Sequence, residues 1–127
     1  MTEEKNKILL IEDDTMVVRM YQRKLEKDGF KVTLAFNGAE GIEALKKERP
    51  DIVLLDIMMP KVNGIETLKT IKANPAYKDL PVIMLTNLGD RPEDVKNCKK
   101  LGATDYWVKA NMPIKKITEG IKKILAK

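Results

Sequence analysis

Five short apolar runs alternate with five helical patterns along these 127 residues, and that alternation restricts the fold more than any other feature. The runs Ile8–Ile11, Val32–Ala35, Ile52–Leu55, Val82–Leu85 and Tyr106–Val108 read as strands. Between them apolar residues recur at helical spacing. Val17, Val18, Tyr21 and Leu25 lead to a stop at Gly29, and Ala39, Ile42 and Leu45 form the second set. Ile65, Leu68 and Ile71 follow Pro60 and Gly64; Val95, Cys98 and Leu101 run from a cap at Asp90 to Gly102. Ile114, Ile117, Ile121, Ile124 and Leu125 make the fifth set. Strict alternation with short connections predicts a parallel sheet covered by helices on both faces. No repeat or low-complexity stretch interrupts the pattern, so residues 1–127 read as one domain, with residues 1–6 a polar extension.

Strand character also predicts strand order. Runs one, three and four are continuously apolar, as strands buried on both faces are. Run two alternates through Lys31, Val32, Thr33 and Leu34, and run five opens on Thr104 and Asp105, so these two read as edges. The order 2-1-3-4-5, the flavodoxin-like doubly wound (βα)5 arrangement of an α/β protein, places both at the edges.

In such sheets the ligand site lies beyond the carboxyl ends of the strands, at the switch point between strands one and three. The residues there are Glu12, Asp13 and Asp14 after strand one and Asp56 after strand three. Thr86 follows strand four and Lys109 strand five. Converging carboxylates repel one another unless protonated or neutralised by a cation. An all-oxygen donor set suits Mg2+ or Mn2+ in octahedral geometry. A carboxylate can also act as a nucleophile and form an aspartyl phosphate, whose equatorial oxygens the metal, Lys109 and the Thr86 hydroxyl could contact. Taken singly, Asp13, Asp14 or Thr15 could instead cap the first helix, and Asp56 could be a turn residue. Their joint position at strand ends favours the chemical reading.

Composition narrows the rest. With no histidine, histidine acid–base catalysis and histidine metal ligation are excluded, and the single Cys98 excludes an internal disulfide. The chain is 43% hydrophobic and 34% charged, as globular domains are. No apolar run approaches the roughly 20 residues of a membrane span. The polar start from Met1 to Lys7 resembles neither a signal nor a transit peptide, and a cytoplasmic location is expected. The net charge of +5 is spread along the chain except in the tail, where Lys115, Lys116, Lys122, Lys123 and Lys127 oppose Glu119 alone. That tail reads as a solvated helix face or a docking surface for an acidic partner. Neither membrane insertion nor direct nucleic-acid binding is expected.

The segments Ile8–Asp14, Pro50–Pro60 with Gly64, Thr86 and Gly102–Lys109 closely resemble the receiver domains of response regulators in two-component signalling. The resemblance implies that Asp56 is the phosphoacceptor and that Glu12 and Asp13 hold Mg2+ with help from the Met58 backbone carbonyl. It implies that Thr86 and Lys109 bind the phosphoryl group and that Thr86 and Tyr106 form the switch. The donor would be a phosphohistidine on a histidine kinase or a histidine phosphotransfer protein. An output protein or a second copy would dock on helix four, strand five and helix five. The chain would be a switch rather than an enzyme, catalysing only its own phosphorylation and dephosphorylation.

Two residues depart from the family pattern: Ala110 stands where proline usually follows the lysine, and Asn87 where a small residue follows the threonine. A trans Lys109–Ala110 bond is expected, because a non-proline cis bond costs about 2.5–4 kcal/mol. Met58 and Leu88 are poor at holding water, which predicts slow autodephosphorylation. A phosphatase using an aspartyl phosphate would want a second aspartate where Met58 stands. A flavin module would want a phosphate loop in place of Glu12-Asp13-Asp14.

Overall fold

The computed structural model describes residues 6–57, 64–86, 92–109 and 112–126. Its elements run β1 (Lys7–Ile11), α1 (Thr15–Lys27), β2 (Lys31–Ala35), α2 (Gly38–Lys47), β3 (Ile52–Asp56) and α3 (Gly64–Ala73), then a 3-10 turn at Pro75–Tyr77. β4 (Val82–Thr86), α4 (Pro92–Lys100), β5 (Asp105–Val108) and α5 (Ile114–Leu125) complete the chain. The Asp90 cap, the Met58 carbonyl, the Asn87 and Leu88 side chains and the Lys109–Ala110 bond lie outside the described residues.

Local chemistry sets the helix ends. The Asp14 Oδ1 atom accepts from the amides of Met16 at 3.0 Å and Val17 at 3.3 Å, so Asp14 is the residue that caps α1. Asn37 caps α2 by accepting from the Glu40 amide at 2.9 Å, while the Glu40 carboxylate reaches back to the Phe36 amide at 3.2 Å. Gly29 and Gly102 follow α1 and α4 with φ of 96° and 108°, a backbone region that ends a helix at low cost only for glycine.

The sheet order is β2-β1-β3-β4-β5, all parallel, as the strand character predicted. Alternation along the strands divides the core. Leu9, Ile11, Val53, Leu55, Met84 and Tyr106 pack with Leu45, Leu68, Ile71 and Cys98 of α2, α3 and α4. Ile8, Leu10, Ile52, Leu54, Leu85 and Trp107 pack with Tyr21 and Leu25 of α1 and with Ile117 and Ile121 of α5. Tyr106 and Trp107 therefore serve opposite faces, as neighbours on a strand must. α5 buries Ile117, Thr118 and Ile121 and exposes Lys115, Lys116, Lys122 and Lys123, the pattern of a solvated outer face.

The two edges differ. β2 alternates between exposed and covered residues, whereas Tyr106, Trp107 and Val108 of β5 are all buried. β3 and β4 each run one residue further than their apolar runs, so Asp56 and Thr86 are the last residues of hydrogen-bonded strands rather than loop residues. No helix among the described residues is long and apolar enough to cross a membrane.

Candidate metal and phosphoryl site

Strand register assembles the site. Ile11 pairs with Leu55, which brings Glu12 level with Asp56; Asp56 pairs with Leu85, and Thr86 pairs with Val108, which precedes Lys109. The Glu12 amide donates to the Ala35 carbonyl at 3.0 Å, extending the β1–β2 ladder past its last paired residue and fixing the backbone of Glu12. The Ile57 amide donates to Leu85 at 3.1 Å and does the same beyond Asp56. Glu12 and Asp56 are thus carried by hydrogen-bonded backbone.

Glu12, Asp13 and Asp56 each present a carboxylate oxygen, and these oxygens lie within 4.8 Å of one another. Glu12 is 2% exposed and Asp56 3%, while Asp13 is half-buried. Lys109 answers this charge. Its ammonium donates to Glu12 Oε2 at 2.6 Å and stands 3.9 Å from Asp56 Oδ1, with 8% of its side chain exposed. Thr86 is fully buried at the end of β4. One ammonium leaves three close carboxylates short of neutrality, and a set of hard oxygens without imidazole or thiolate fits a divalent cation of the Mg2+ type. The structure therefore brings Glu12, Asp13, Asp56 and Lys109 together. Tyr106 packs one strand away, opposite Met84 in the β4–β5 register.

Three features of the site were not drawn from the sequence. The Tyr21 phenol is pushed up to about 12, first by burial and then by the negative charge of Glu12 and Asp56, so it stays a neutral donor. With Val17, Met20, Lys109 and Met112 it lines a recess of about 420 Å³ between α1 and the start of α5. The readable signal was a polar-tipped aromatic on the buried stripe of the helix that begins at the site. The second is Gly64, whose amide donates to Ile57 at 2.9 Å. A Cβ there would lie 2.7 Å from Ile57 Cα and closer still to the Asp56 carbonyl oxygen. The third is the preference of Lys109 for Glu12. A larger recess of about 720 Å³ between β1, β2 and α2 lies apart from this chemistry, and its rim residue Glu48 is already paired with Lys7 and Lys31 at 3.6 Å each.

Residues 8–122 match the family model described as the response regulator receiver domain. Among curated relatives, the transcriptional regulatory protein CpxR of Escherichia coli is 41% identical over 104 residues, covering 82% of this chain and 43% of that protein. The alkaline phosphatase synthesis transcriptional regulatory protein PhoP of Bacillus subtilis is 34% identical over 119 residues, covering 94% and 48%. The chain thus spans less than half the length of either relative. Among solved structures, the chemotaxis protein CheY4 of Vibrio cholerae superposes with a TM-score of 0.88 at 28% identity, covering 94% of this chain and 98% of that one. The BeF3-activated receiver domain of RstA from Klebsiella pneumoniae gives 0.86 at 29% identity, covering 96% and 100%. A match that takes in all five strands and the carboxylate site means that this chain belongs to the response regulator receiver domains of two-component signalling.

Proposed function

We propose that Asp56 accepts a phosphoryl group from the phosphohistidine of a histidine kinase or histidine phosphotransfer protein, in a reaction that depends on Mg2+ or Mn2+. The observation that carries this reading is the convergence of Glu12, Asp13, Asp56 and Lys109 at the switch point of the sheet. Glu12, Asp13 and Asp56 would hold the cation, with the Met58 carbonyl as a further donor. When bound, the cation supplies positive charge that lets an anionic phosphoryl group approach an anionic carboxylate.

The chain's own residues do the rest. An Asp56 oxygen forms the new O–P bond as the N–P bond of the donor breaks, and the electron pair leaves on the imidazole nitrogen, which takes up a proton. Lys109 and the Thr86 hydroxyl then meet the phosphoryl oxygens, which is charge neutralisation and positioning rather than covalent work. This chemistry is confined to the chain's own phosphorylation and dephosphorylation.

In this reading, movement of Thr86 toward the phosphoryl group opens space for the neighbouring Tyr106 ring. The face formed by α4, β5 and α5 then changes for an output protein or a second copy. Tyr106→Ala should keep phosphorylation while weakening phosphorylation-dependent binding. The whole would act as one domain in the cytoplasm. Mass spectrometry after treatment with acetyl phosphate and Mg2+ tests the central claim. One phosphate adduct is expected in the parent and none in Asp56→Asn, and an adduct that survives in Asp56→Asn would refute the assignment.

A further inference from the structure

The two edges of the sheet are covered unequally. Tyr106, Trp107 and Val108 of β5 are buried, whereas among the described residues nothing pairs along the outer side of β2. The Lys31 amide donates to Asn6 at 2.9 Å and the Ala35 carbonyl accepts from Glu12 at 3.0 Å, so Lys31, Thr33 and Ala35 turn their backbone groups toward β1. These directions alternate along a strand, so Val32 and Leu34 turn theirs outward. The amides on either side are taken: Phe30 donates to Leu25 at 3.1 Å and Phe36 to Glu40 Oε1 at 3.2 Å. Sheet edges are usually blunted by charge, proline or a bulge. Here the middle of the edge is Val32-Thr33-Leu34, and its one cation, Lys31, lies 3.6 Å from Glu48. Both neighbouring helices also stand back from it. A recess of about 720 Å³ opens on the α2 side, beside Thr33, Ala39 and Ala44, and one of about 500 Å³ on the α1 side, beside Leu34 and Phe36.

We infer that β2 is the docking edge for β2 of a second copy, joining two sheets into one across a two-fold axis at Thr33. A two-fold axis normal to the sheet makes the new strand pair antiparallel. The outward groups fix its register. Val32 of one copy and Leu34 of the other exchange two hydrogen bonds, and symmetry repeats them; a shift either way would call on the committed amides of Phe30 or Phe36. Side chains fit the same register. Val32 and Leu34, each half-buried in the single chain, cover one another, Thr33 faces Thr33, and Lys31 faces Ala35, so no like charges meet. The helix walls agree. α1 presents Arg19 and Glu26 toward opposite ends of its recess, and α2 presents Glu40 and Lys47, so each wall is complementary in charge to itself reversed. The interface lies on the edge opposite β5 and leaves the proposed phosphorylation-dependent surface free.

Sedimentation equilibrium of the full chain, up to millimolar concentration, should show a monomer–dimer equilibrium with or without acetyl phosphate. Thr33→Lys, at an exposed position, sets two ammonium groups against each other at the axis and should weaken the dimer about tenfold. Val32→Pro removes an outward donor and leaves the β1 ladder its bonds, so it should abolish the dimer with an unchanged circular dichroism spectrum. Cysteines read the register. Residues facing each other in a non-hydrogen-bonded pair lie about 4.5 Å apart at Cα, within disulfide reach, so Thr33→Cys should form a disulfide dimer in air. Lys31→Cys should not, because its two copies would lie about 13 Å apart. Cys98 is buried and takes no part. A chain that is monomeric at every concentration overturns the inference. So does a dimer that Thr33→Lys leaves intact, or one that Lys31→Cys cross-links as readily as Thr33→Cys. Should Val32→Pro lose its fold, Thr33→Lys and the two cysteine variants decide.

Discussion

Gly64→Ala should cost the protein about 2–3 kcal/mol, because the methyl group would enter backbone rather than side chain. Its three nearest neighbours are the Asp56 carbonyl carbon and oxygen and Ile57 Cα, all under 3.0 Å from where the new carbon would sit. Those atoms belong to the end of β3, a central strand, and are held by the Ile57 to Leu85 hydrogen bond of 3.1 Å and the Gly64 to Ile57 hydrogen bond of 2.9 Å. A flexible side chain could swing aside; this backbone can move only by loosening its ladder. Overpacking of this kind costs about 1–3 kcal/mol, and a backbone neighbour places the value at the upper end. Alanine recovers at most about 1 kcal/mol of helix propensity, less at the first turn of α3. Urea denaturation should show a lower midpoint at unchanged slope, and thermal melting a fall of about 10 °C. Because the atoms displaced carry Asp56, Mg2+ affinity should fall with stability. Stability equal to or above that of the parent would refute the argument, since it would mean β3 yields without cost.

Gly120→Ala tests the milder case: its Cβ would meet the Trp107 ring at 2.8 Å, and a ring can tilt. Trp107 is the only tryptophan and donates to Asp105 Oδ2 at 2.9 Å, so its emission should change clearly while stability falls by only about 1 kcal/mol. Tyr21→Phe should flatten the alkaline limb of the stability profile. With the folded phenol at about 12 against 10 unfolded, the unfolded chain releases its proton first, so stability is lost as pH rises through 10 to 12. The pH-dependent part of the difference from the parent, about 3 kcal/mol at most for two pH units, should vanish below pH 9. Lys72→Met should destabilise by about 2 kcal/mol in thermal melts. The Lys72 ammonium donates to the carbonyls of Tyr77, Lys78 and Leu80 at 3.1, 3.2 and 2.6 Å, tying the end of α3 to the start of β4.

Apolar periodicity and strand-end position carried the fold and the convergence of Glu12, Asp13, Asp56 and Lys109 at one end of the sheet, because both are properties of single segments. Ile52–Asp56 is apolar on both faces and so had to be central, and a carboxylate at its end had to face the switch point. What was not legible depends on two segments meeting. Asp13, Asp14 and Thr15 were equivalent as caps until the β1 backbone direction selected Asp14. The buried stripe of α1 was clear, but only its packing against the sheet brings the Tyr21 phenol under the influence of Glu12 and Asp56. Gly64 could be recognised as part of a motif, yet the backbone it touches, at Asp56 and Ile57, is eight and seven residues earlier in the chain.

The pairing of Lys109 with Glu12 is the clearest case, and it explains the sizes of the residues at the site. β1 and β5 are separated by β3 and β4, three strand spacings or about 14 Å of sheet. Yet their terminal groups meet at 2.6 Å. Only long side chains close such a span, and the site has a glutamate on one flank and a lysine on the other. The residues at the two strands between them, Asp56 and Thr86, are short. Short groups in the middle keep their reactive atoms close to hydrogen-bonded backbone, while long flanking groups reach over them. An aspartate at position 12 would lose one methylene of reach, leaving Lys109 to fall back on Asp56, its other carboxylate at 3.9 Å. The choice of glutamate thus sets which carboxylate the lysine holds, a property that neither strand displays on its own.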